Sequence, residues 1–169
     1  MRLELISAIN KNLQKIVLLL ESIEDSVYVN EDAGPYYSSV GNHLRHVLDY
    51  YSCIINGLNN DTIDLTLRDR NSVINTDKLK AIEKTKEIQN IILGYEHANT
   101  NYLIKVVDDL GDGKIGVDYT LESILVQANT HTVHHFASIA YILHDLKVSC
   151  CVEGFGYNPT TPVYTSEDS

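Results

Sequence analysis

The chain is short of positive charge. Its 169 residues carry 13 lysines and arginines against 23 aspartates and glutamates, a formal net charge of −10. A nucleic-acid binder needs clustered Lys and Arg to displace counterions from phosphates. No dense basic stripe occurs, so the expectation is no nucleic-acid partner and no anionic membrane surface. Apolar runs long enough to span a bilayer are also missing. Met1-Arg2-Leu3-Glu4 places charge in the first turn with no small-residue cleavage site after it, unlike a secretory signal. Cysteine is scarce: Cys53, Cys150 and Cys151 make an odd count without Cys-x-x-Cys spacing, which excludes a thiolate zinc site and a disulfide framework. Reduced thiols and a cytoplasmic setting are expected. Internal repeats and low-complexity tracts are absent.

What is present is a 44% hydrophobic, 21% charged composition, the balance of one soluble globular domain over residues 1–169. Periodicity marks four amphipathic helices. The first runs from about Arg2 to Ser26 on a stripe of Leu3, Ile6, Ile9, Leu13, Ile16, Val17, Leu20 and Ile23. The second covers roughly Ser39 to Leu58, with Ser38 or Ser39 as cap and Val40, Leu44, Val47, Leu48, Tyr51, Ile54, Ile55 and Leu58 as its apolar face. A polar connection, Thr62 to Asn75, leads to a third helix from a cap at Thr76 to about His97, with Leu79, Ile82, Ile88, Ile91, Ile92 and Tyr95 as its apolar set. Two short extended pieces, Leu103 to Val107 and Ile115 to Tyr119, flank Gly111-Asp112-Gly113 and read as a hairpin. The fourth helix starts from a Thr120 cap and ends near Leu146. Residues from about 148 onwards, with Gly154, Gly156, Pro159 and Pro162, read as an irregular tail. The simplest architecture is all-α, a four-helix bundle with a short hairpin before its last helix.

Five of seven histidines fall in two clusters: His43 and His46 on the second helix, His131, His134 and His135 on the fourth. Successive helical residues turn about 100° and rise about 1.5 Å, so His131 and His135 lie about 40° and about 6 Å apart. Both fall within the apolar arc of Ile124, Ala128, Ile139 and Ile142; His134 falls outside it, about 60° to the other side. A buried imidazole needs partners for both nitrogens. A shared metal ion satisfies this, and so do carbonyls or facing tyrosines, of which the chain has 11. Spacing alone leaves both readings open. On the second helix a wheel leans to His43, about 60° nearer the apolar centre than His46.

The stretch Ser39-Val40-Gly41-Asn42-His43-Leu44-Arg45-His46-Val47-Leu48-Asp49 resembles the second-helix motif of the DinB-like superfamily, which includes the YfiT-like metal-dependent hydrolases. His131-Thr132-Val133-His134-His135-Phe136-Ala137 is similar to its fourth-helix motif. Arg68-Asp69-Arg70 and Phe155-Gly156-Tyr157-Asn158-Pro159-Thr160 resemble a connection and a tail in one branch. The resemblance implies a four-helix bundle with a three-histidine divalent metal site, the ligands being His46, His131 and His135. His43, Asp49 and His134 would then line or support the site, Asp49 as an orienting group or base or simply as a solvated helix carboxylate. Open positions on a three-histidine ion suit catalysis, with Zn, Ni, Fe or Mn as the metal. The implied chemistry is activation of water or a thiol, of hydrolase or thiol S-transferase type, on a small molecule such as a low-molecular-weight thiol or ester. A homodimer is expected. The alternative is a non-catalytic metal-binding or dimerising bundle. Arg68 and Arg70 are candidates for binding an anionic group. Cys53, seven residues past His46, is expected to be structural, and His97 and His144 have no assigned role.

Overall fold

The computed structural model describes residues 1–69, 73–100 and 102–161. Among them are five α-helices and three strands: α1 (Leu3–Ser22), α2 (Asp25–Tyr28), α3 (Val40–Gly57), β1 (Thr62–Asp64), α4 (Lys78–Gly94), β2 (Ile104–Asp109), β3 (Lys114–Tyr119) and α5 (Leu121–Asp145). The three strands make one mixed sheet in the order β1-β2-β3. This corrects the expected all-α four-helix bundle in two ways.

The first correction is β1. The polar connection after the second helix is not all loop: Thr62, Ile63 and Asp64 pair in parallel with Lys105, Val106 and Val107. Ile63 is fully buried, and it is the anchor of this strand. A three-residue strand is too short to show alternation in sequence. Its position depends on a tight return from α3. A Cβ on Gly57 would meet the Ile63 Cα at 2.6 Å and the Thr62 carbonyl oxygen at 2.7 Å, so only glycine lets the backbones approach this closely. The second correction is α2. The first long helix stops at Ser22, and a separate short helix follows from Asp25 to Tyr28.

The hairpin around Gly111-Asp112-Gly113 is β2 and β3, with Ile104 opposite Tyr119 and Asp109 opposite Lys114. Gly111 and Gly113 have φ of 110° and 102°, a region open mainly to glycine. β3 is the exposed edge, and it carries the charges that keep edges from pairing further. Lys105 meets Asp118 at 2.9 Å, and Lys114 meets Asp64 at 3.0 Å across the sheet.

The core lies between α1, α3, α4 and α5, with Ile9, Leu13, Leu44, Leu48, Ile88 and Ile124 fully buried. Two residues expected in it are outside: Leu3 and Leu79, both near helix starts, are exposed. Caps fix the two helices that carry histidines. The Ser39 hydroxyl accepts from the Asn42 amide at 3.1 Å, and Thr120 and Ser123 form a reciprocal capping box. Beyond α5 the described part of the tail is anchored. Phe155 stacks on Phe136 with ring centroids 4.4 Å apart, and Lys15 donates to the Gly154 carbonyl at 3.1 Å.

Candidate metal centre

α3 and α5 pack against each other, and each brings its histidine cluster to the shared face. His46 of α3 and His131 and His135 of α5 form a nearly equilateral triangle. Ring centroids are 4.8 Å apart for His46–His131, 4.8 Å for His46–His135 and 4.5 Å for His131–His135. The rings meet edge to face at 65° to 70°, so no two stack. One nitrogen from each lies within 4.8 Å of the others. Three nitrogens held on one ion at about 2.1 Å each lie about 3.4 Å apart in a tetrahedral site, so the rings would draw together by up to about an ångström around a metal.

Burial keeps these rings neutral. The His135 imidazolium is disfavoured down to about 3, first by burial and then by the neighbouring His131, His46 and His43. His46 is pushed down to about 4 by burial, then by the Arg68 guanidinium and by His131. His131 is lowered as well, by burial and then by His134 and Arg68. Neutral imidazole is the ligand form. His131 Nε2 is buried and has no hydrogen-bond partner among the described residues. A buried polar atom without a partner costs about 1–3 kcal/mol. The donor set, its neutrality and this orphaned nitrogen fit a divalent ion.

The other expected site residues divide. His43, which the wheel preferred over His46, does not join the triangle; its Nδ1 lies 2.8 Å from His135 Nδ1 and supports that ring from behind. His43 also lines a cavity of about 310 Å³ with Ala33, Pro35, Tyr36, Tyr141 and Ile142, and His144 reaches the same cavity. His134 is exposed and only flanks the triangle, its ring centroid 5.5 Å from His135. Asp49 is not a solvated carboxylate. It is 5% exposed and bound to the Arg45 guanidinium at 3.0 Å, and burial raises its carboxyl although Arg45 opposes the shift. Thr132, which stands where zinc proteases place a Glu, is buried behind the triangle; it donates to the Ala128 carbonyl at 2.8 Å and meets the Tyr51 hydroxyl at 3.4 Å. Cys53 donates to the Leu67 carbonyl at 3.1 Å. That bond pins the connection after β1 against α3 and brings Arg68 to the site, where its charge is felt by His46, His131 and Asp49. Arg70 lies outside the described residues.

One residue escaped the sequence reading. Tyr50 stacks on His131, ring centroids 4.8 Å apart and planes at 28°. It is 8% exposed, and its hydroxyl is buried without a hydrogen-bond partner among the described residues. Tyr50 follows His46 by four residues, a same-face spacing that was available as a signal. No helix is long and apolar enough to cross a membrane among the described residues. No protein-family model, curated protein or solved structure matches the chain.

Proposed function

We propose that the protein is a metal-dependent enzyme in which His46, His131 and His135 hold one divalent ion, a member of the DinB-like group that its histidine motifs resemble. The observation that carries this reading is the convergence of three neutral imidazoles from two helices on one point. Three protein ligands leave coordination positions open, and an ion so held supplies Lewis acidity and activates water or a thiol as nucleophile. The reaction class is therefore hydrolysis or thiol S-transfer on a small molecule. Around the ion the chain's own groups have distinct tasks. His43 orients His135 through the 2.8 Å contact between their Nδ1 atoms. The Asp49–Arg45 pair fixes the side of α3 next to His46. The cavity beside His43 is large enough for a small substrate.

Elemental analysis of the purified full-length chain tests this. One divalent ion per chain is expected, falling to near zero in His131→Ala and His135→Ala. A wild-type chain that holds no metal and takes none up from Zn, Ni, Fe or Mn solutions refutes the reading. Metal-loaded protein is then assayed against thiol-acceptor and ester substrates, with turnover expected in one of the two classes.

A further inference from the structure

Tyr50 and Arg68 have no part in holding the ion, yet Tyr50 stands against one of its ligands and Arg68 lies near enough for its charge to reach them. The Tyr50 ring is fixed by its stack on His131, with 92% of the residue out of solvent given its 8% exposure. Its hydroxyl ends in the interior with no acceptor among the described residues. A phenol O–H in such a place normally has a partner, because leaving it without one forfeits a hydrogen bond already stripped from water. Arg68 is an exposed guanidinium with no ion pair within 4 Å among the described residues, in contrast to Arg45, which is committed to Asp49. The Cys53–Leu67 hydrogen bond holds the residue before Arg68 against α3, one turn beyond Tyr50. A lone hydroxyl donor thus borders the ligand triangle, and a guanidinium on the segment pinned to α3 lies near enough for its charge to act on His46 and His131.

We propose that Tyr50 and Arg68 form a subsite for a carboxylate group of the substrate, Tyr50 donating one hydrogen bond to a carboxylate oxygen and Arg68 supplying the counter-charge. This rests on the metal reading above. Guanidinium and carboxylate match in plane and spacing, and hydrogen bonds to a charged acceptor are the stronger kind. Asp108 of β2 decides between anions. It lines the cavity between β2, β3 and α5 with Tyr119 and Gln127, and it adds a negative charge on the sheet side of Tyr50. A single free arginine against that charge suits a monoanion and disfavours a phosphate dianion.

The test uses full-length protein loaded with cobalt(II), whose visible absorption reports what joins the ion, and acetate as the probe. Cobalt content is measured first; a chain that takes up no cobalt sinks the metal reading and this subsite together. With cobalt bound, acetate is expected to change the wild-type spectrum saturably. Tyr50→Phe, which keeps the ring stack and removes only the hydroxyl, should weaken acetate about tenfold at unchanged cobalt content. Arg68→Met, on an exposed connection, should weaken it by a similar factor. Inorganic phosphate should bind more weakly than acetate. Equal acetate affinity in wild type and Tyr50→Phe, no response in wild type, or tighter binding of phosphate overturns the proposal while leaving the metal site standing.

Discussion

Replacing His131 with phenylalanine separates a metal ligand from a core hydrogen-bonder by the sign of its effect. In the metal-free protein His131 Nε2 is buried without a partner among the described residues, a burden of about 1–3 kcal/mol. Phenylalanine puts an aromatic ring where the imidazole stood, keeps the stack with Tyr50, and removes the orphaned atom. Some of the gain is spent fitting the larger ring between His46 and His135, whose centroids are 4.8 Å and 4.5 Å away. The metal-free variant should be more stable than wild type by about 1 kcal/mol, which for a chain of this length raises Tm by about 2–4 °C. Zinc reverses the order. At a hundredfold excess over its Kd a ligand that binds only the folded state adds about 2.7 kcal/mol, or roughly 5–11 °C. Wild type should gain that and the variant should not. Differential scanning calorimetry with chelator and with zinc reads both arms. A metal-free His131→Phe that melts more than about 5 °C below wild type would mean that His131 has an internal partner worth keeping, and the reasoning would fail.

Acid should destabilise the metal-free protein through the same rings. His46 and His135 titrate near 4 and 3 when folded against 6.5 as the ordinary value, so the unfolded chain binds more protons between these limits. Stability from this source is whole above pH 6.5 and is lost as pH falls towards 4. Urea midpoints of chelated protein at pH 7.5, 6 and 5 should fall more steeply for wild type than for His46→Gln, and parallel slopes would contradict the assignment. Gly41→Ala should cost about 1–3 kcal/mol in a urea melt, because the new Cβ would stand 2.1 Å from the Asn75 carbonyl oxygen. Gly94→Ala is the control: its Cβ meets nothing within 4 Å at the end of α4, and a gain of about 0.5 kcal/mol is expected.

The long helices were legible because each presents several apolar turns to one core. Ile9, Leu13 and Ile16 of α1 repeat at helical spacing and are fully buried. β1 was not legible. Its one anchor, Ile63, has no periodicity, and its partner strand lies some forty residues away, so only the tertiary pairing with Val106 reveals it. The α5 histidines follow from local geometry: residues four apart share a face, and residues three and four past His131 diverge by about 100°. The α3 member of the triangle does not follow. A wheel ranks residues by distance from the apolar centre of the whole helix, and α3 packs against α4 and α5 at once. That centre points between its two neighbours, whereas the triangle forms only where α3 meets α5. His46 therefore looks peripheral on the wheel and is central in the structure. Tyr50 was missed beside Tyr51 for the same reason. They point about 100° apart, yet both are buried because α3 is covered on two sides.

The relation between Tyr50 and His131 argues against a purely structural role for the cluster. Among the described residues three buried side-chain atoms lack a partner: Asn10 Oδ1, Tyr50 Oη and His131 Nε2. Two of the three belong to rings that touch. A phenol and a neutral imidazole are well matched to each other, since one donates O–H and the other accepts at nitrogen. They are instead stacked with their planes at 28°, and neither polar atom has a partner among the described residues. An arrangement that leaves two touching rings with buried, unpartnered polar atoms is disfavoured in a plain core, and it is favoured where the nitrogen serves an ion and the hydroxyl serves whatever binds next to it.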